Sequence, residues 1–175
     1  MMPAVRTVIW VVEGTWQGCV DAASHSLPSG APVALLHVTP SDVTGVAEAA
    51  SAGLLGRFAG RRTTRPFQEV ADDAATALLA AAAARLGRQD AELLQRRGRV
   101  EREVIRAVAE NVDLLVVARD GDHSRLGPHS LGPATRFVVD HAPCAVLLVW
   151  PDEPPGIDSI PPPPPPPLGH HHPPR

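Results

Sequence analysis

Two short stretches combine residue types that could do chemistry. The first is Glu13-Gly14-Thr15, which follows an apolar run, Val8–Val12. The second is Ala118-Arg119-Asp120-Gly121, a ten-residue spacer, and then Gly132-Pro133-Ala134-Thr135 ahead of a helical segment. Glycines let backbone amides approach an anion closely, and the free amides at a helix N-terminus point at it. A hydroxyl such as that of Thr135 adds a donor, and Arg119 and Arg125 add positive charge. Asp120 and Asp122 in the same loop oppose a phosphate. His123 and His129 also lie in the loop, but neither has a partner at a spacing that signals acid–base catalysis. No Ser/His/Asp or Cys/His arrangement appears, and with no lysine in the chain no Walker-type phosphate loop is possible.

The elements that must position these stretches are legible. Val8–Val12, Val33–His37, Leu114–Val117 and Ala145–Val149 are short, β-branched or leucine-rich and not alternating, as strands covered on both faces are. Asp90 to Gln95 is a weaker fifth strand. Helical segments intervene: Asp21 to Leu27, Glu69 to Leu86 with Gly87 as its stop, Arg102 to Glu110 and Thr135 to His141. Strands alternating with helices predict an α/β fold with a single parallel five-stranded sheet and helices on both faces. In such a sheet ligands sit beyond the carboxyl ends of the strands, where both stretches fall.

Composition narrows the function class. The chain has 175 residues, room for one domain, spanning 1–150. A net charge of −3 gives no electrostatic reason for nucleic-acid binding. No apolar run is long enough to span a bilayer, and no export signal is evident, so a cytoplasmic protein is expected. All 16 basic residues are arginine. Cys19 and Cys144 read as buried free thiols. Residues 41–68, with Gly53, Gly56, Gly60 and the cluster Arg61, Arg62 and Arg65, read as a flexible insertion. From 151 to 175 the chain reads as a disordered, polyproline-like tail, with seven consecutive prolines at Pro161–Pro167. Its His170, His171 and His172 have no flanking ligands to fix a metal. The tail is either a ligand for an aromatic groove or an inert extension.

The chain resembles the universal stress protein family over Val5 to Trp150, apart from the insertion. The specific part is Asn111 to Leu114 with the loop that follows and His141-Ala142-Pro143-Cys144 before the last strand. Glu13-Gly14-Thr15 matches an Asp-Gly-Ser that closes the family's first strand, and His37-Val38 the end of its second. The resemblance implies a Rossmann-like fold of the adenine nucleotide alpha-hydrolase kind and ATP as ligand. Glu13 would then hold the ribose and the backbone at Val38 the adenine. Family members commonly pair through the last strand, which implies a homodimer through Ala145–Val149.

Three departures fall on one function. Ala118 stands where the family has glycine, the spacer is one residue longer, and Pro133 replaces a serine or threonine. Proline suits the first turn of a helix but removes a hydroxyl and a backbone donor at once. Losing a charge-assisted hydrogen bond costs about 1.5–3 kcal/mol, so two lost donors could erase an ordinary micromolar site. Two functions remain open. One is an ATP-binding stress-response module; the other is a member with a degenerate nucleotide site that works through dimerisation or protein contacts. Neither is catalytic.

Overall fold

A computed structural model describes residues 6–41 and 67–163. Five strands, β1 (Thr7–Trp10), β2 (Val33–Pro40), β3 (Glu92–Gly98), β4 (Leu114–Ala118) and β5 (Ala145–Val149), form one sheet in the order β3-β2-β1-β4-β5. Every pairing is parallel, with Thr7 opposite both Val33 and Leu114, Ala34 opposite Glu92, and Leu114 opposite Ala145. Among the described residues four helices cover it: α1 (Trp16–Ser26), α2 (Phe67–Leu86), α3 (Val100–Val108) and α4 (Pro133–His141). The α/β class and the five parallel strands are those the sequence predicts.

Strand geometry sends successive side chains to opposite faces. Ile9, Val11, Leu35 and Val116 pack with Cys19, Val20, Ala23, Leu79 and Ala82 under α1 and α2. Val8, Trp10, Leu36, Val38, Leu115 and Val117 pack with Val104, Val108 and Val138 under α3 and α4. The central strands β1, β2 and β4 are apolar at both parities because both parities are buried. Burial pushes the Cys19 thiol up to about 12, and the half-buried Cys144 thiol is raised as well.

Boundaries shift where tertiary contacts extend an element. The α1 helix begins at Trp16, ahead of the expected Asp21, because the Thr15 and Trp16 amides already bond the Val12 carbonyl. The β2 strand runs on to Pro40, and β3 is Glu92–Gly98, because the two pair in register as far as Pro40 and Gly98. The α3 helix starts two residues earlier than expected, at Val100, and α4 starts at Pro133 itself. The 41–68 insertion, with its arginine cluster, lies outside the described residues except Ser41, Phe67 and Gln68, as does the histidine run at 170–172.

The strand order reverses between β1 and β4. The turn after β1 and the loop after β4 therefore leave the sheet side by side at its carboxyl end, the usual position of a ligand crevice in an open α/β sheet.

Candidate functional site

The loop after β4 starts from the sheet: Arg119 N–H donates to the Val149 carbonyl at 2.8 Å. Ala118 is 7% exposed and its methyl belongs to the core under α1 and α2. Among described residues other than glycine only Asn111 has a positive φ, so alanine at 118 causes no strain. Gly121 meets a stricter demand. A Cβ there would lie 2.3 Å from the His129 carbonyl oxygen, because the two sides of the loop are zipped together. The Gly121 amide donates to Ser130 O and the Asp122 amide to His129 O, both at 2.9 Å.

Several other amides of the loop are also committed. Ser124 N–H goes to Asp122 Oδ1 at 2.9 Å and Leu126 N–H to Ser159 Oγ at 3.0 Å. Ser130 N–H bonds Gly127 O and Leu131 N–H bonds Pro128 O, around the 3-10 turn Pro128–Ser130. Gly132 N–H, at the N-cap of α4, donates to Asp120 Oδ1 at 2.7 Å. The chain's own carboxylate thus occupies the amide that an anion would take, and Pro133, the first residue of the helix, has no N–H to offer.

The charges are equally engaged. Arg119 lies over the Trp150 ring, its guanidinium carbon 4.7 Å from the centroid, and Nη1 donates to Ser130 Oγ. Its Nε is buried with no hydrogen-bond partner. Ser130 is fully buried and passes its own proton to Gly127 O. His123 donates from Nε2 to the Arg119 carbonyl at 2.9 Å and meets Trp150 edge-on. Asp122 accepts from Ser124 Oγ and Arg125 Nε. Ser124's hydroxyl first, then its amide and Arg125, hold the Asp122 carboxyl down at about 2. Arg119 and Arg125 therefore serve the loop itself. Thr135, whose hydroxyl is a candidate donor, is only 2% exposed.

Two clefts open at the carboxyl end of the sheet. One, of about 430 Å³, lies between the N-termini of α3 and α4, lined by Pro40, Gly98, Val100, Pro133, Ala134 and Phe137. Here too a carboxylate is in place: Glu101, in the first turn of α3, is held below its ordinary range by its backbone amide and by Arg99. The other, of about 360 Å³, is lined by Glu13, His37 and Thr39 together with Ala74, Ala75 and Leu78 of α2. Both volumes suit a small ligand. His37 is fixed by Nδ1–H donating to Val11 O at 2.9 Å, and the Thr39 hydroxyl is buried without a partner. Thr15 turns its hydroxyl back toward Val12 O at 3.5 Å, beside Gly14 in the exposed turn.

Val38 is 5% exposed with its side chain in the core under α3 and α4. Only its backbone can face a ligand. Since Val11 N–H bonds Leu36 O and β1 has ended, β2 beyond this point has a strand neighbour only in β3. Of the sequence-predicted residues, Glu13 lines one cleft, Pro133 and Ala134 line the other, and Gly14, Thr15 and Val38 line neither. Ala118, Arg119, Gly121 and Gly132 belong to the loop, with Thr135 buried beyond it. Ser130, Trp150 and Ser159, which the sequence did not single out, complete the loop. A serine in a spacer and a residue 33 positions away carry no local pattern that would have found them.

Comparison with known proteins fits this geometry. The universal stress protein family matches residues 19–149. Among solved structures, the hypothetical protein MJ0577 has a TM-score of 0.60 at 16% identity, covering 85% of this chain and 97% of that one. The universal stress protein UspA from Lactobacillus plantarum gives 0.53 at 18%, covering 85% and 99%. A universal stress protein in complex with cAMP gives 0.54 at 17%, covering 85% and 98%. These likenesses establish the fold. No curated protein matches the chain.

Proposed function

The chain belongs to the universal stress protein family, and on that premise we propose that it is a non-catalytic stress-response module with a degenerate adenine-nucleotide site, in which ATP binding is weak or lost. It acts through dimerisation or protein contacts in the cytoplasm. The observation that supports this most is the Asp120 carboxylate seated on the Gly132 amide at the start of α4. A phosphate entering there must displace that carboxylate or sit beside it. Two unit charges about 4 Å apart at an effective dielectric of about 20 repel by about 4 kcal/mol, roughly a thousandfold in affinity. The committed amides of Gly121, Asp122 and Leu126 and the missing N–H of Pro133 act in the same direction.

The competing reading is an intact ATP site. It draws on Glu13 and His37, which line one cleft, and on the relative solved with cAMP. Calorimetric titration with Mg-ATP separates the two. The unmodified chain is expected to give no heat in the micromolar range, while Asp120→Asn combined with Pro133→Ser, which removes the charge and returns two donors, gains affinity. Micromolar binding by the unmodified chain would overturn the degenerate-site reading.

A further inference from the structure

Past β5 the chain doubles back over the site. Trp150 stacks on Arg119 and touches His123. Pro151 then crosses α1 so closely that a Cβ on Gly18 would lie 2.9 Å from its Cα and 3.1 Å from its carbonyl oxygen. Glycine inside a helix is destabilising relative to alanine. Its presence at 18, in the first turns of α1, is accounted for by this contact. The segment continues through a 3-10 turn, Ile157–Ser159, where Ser159 Oγ donates to Gly156 O at 2.5 Å and accepts from Leu126 N–H at 3.0 Å. Pro161 follows, reaching to 4.0 Å of where a Gly127 Cβ would stand. Contacts with α1, with Arg119 and His123, and with the tip of the loop are spaced along a dozen residues. Four of those residues are prolines, whose fixed φ lowers the entropy cost of ordering the segment.

We propose that Trp150–Pro161 is a built-in strap that holds the Arg119–Gly132 loop in its closed form, so that the loop opens only when the strap lifts. The strap satisfies the Leu126 amide at the loop's tip and stacks on the arginine at its base, on either side of a segment whose Gly121, Asp122, Ser124, Ser130, Leu131 and Gly132 amides are bonded within the loop. Strap release is then the step that would expose the loop's donors to an anion. That consequence rests on the reading of the loop as a former nucleotide site; the coupling of strap to loop does not.

Amide hydrogen exchange on the full chain tests the coupling. Ser159→Ala removes the acceptor for Leu126 N–H and should speed exchange at Leu126 roughly fivefold, the equivalent of one ordinary hydrogen bond. Unchanged exchange at Leu126 would overturn the proposal. Gly18→Ala provides a second arm in which helix propensity and the strap predict opposite results. If the strap lies on Gly18, the new methyl displaces it, exchange rises at Leu126 and Ile160, and the melting temperature fails to increase. A higher melting temperature with unaltered exchange at both positions would sink the strap. Neither arm contains nucleotide, so a failure here is separate from a failure of the Mg-ATP titration.

Discussion

Asp122 shows how a single side chain reports on the state of the loop. Its carboxyl sits at about 2 because Ser124, through hydroxyl and amide, and then Arg125 stabilise the charged form. A folded-state value below the unfolded one contributes stability above the ordinary carboxylate range, and that contribution is lost as pH falls through the folded value. The loop should therefore keep its closed form from neutral pH to about pH 4 and loosen between about pH 4 and pH 2. Following the Asp122 carboxyl carbon by NMR through an acid titration should give a midpoint near 2. An ordinary midpoint would mean that the bonds to Ser124 and Arg125 do not persist in solution. At this scale the sequence supplied the residue types, including the opposing charges of Asp120 and Asp122. It could not supply their partners: Asp120 finds an amide 12 residues away, whereas Asp122 finds its partners within three.

At the scale of the elements, the strands carry the stability. Leu36 is fully buried in β2, beneath α3 and α4, whereas Leu93 on β3 is 47% exposed. Leu36→Ala removes packed atoms and leaves a cavity, which should cost about 2–5 kcal/mol in urea unfolding. Leu93→Ala should change stability by less than about 1 kcal/mol. Equal losses would contradict the two-faced burial of β2. The strands β1, β2, β4 and β5 were legible because burial on both sides leaves a continuous apolar run. The weaker β3 lies at an edge, where Glu92, Leu93, Gln95 and Arg97 are exposed, so its sequence pattern fades and its limits were misjudged. Helix starts shifted for a related reason: α1 begins where Val12 O becomes an acceptor, a property of the turn rather than of helix propensity.

For the whole molecule, the two sheet edges are unlike. The β3 edge carries Arg96 and Arg97, paired with Glu103 and Asp72, whereas β5 is Ala-Val-Leu-Leu-Val without a charge. Charged side chains discourage edge-to-edge pairing, and an apolar edge invites it. We propose on this ground a two-fold dimer through β5. Sedimentation velocity across the micromolar range should show a monomer–dimer equilibrium, and a monomer at every concentration would end that proposal. Among the described residues no helix is long and apolar enough to cross a membrane.

The amino-acid sequence by itself determined the architecture, because burial on both faces and alternation of strand with helix are written locally, as continuous apolar runs for the strands and a 3.6-residue period for the helices. It also located the loop, through the spacing of Gly121, Gly132 and Pro133 ahead of a helical segment. Only the tertiary structure decided what the loop's donors and charges are doing. Whether an amide is free depends on which carbonyl, hydroxyl or carboxylate the fold brings within about 3 Å. Here those acceptors come from Asp120, from Ser130 and His129 across the loop, and from Ser159 beyond the last strand.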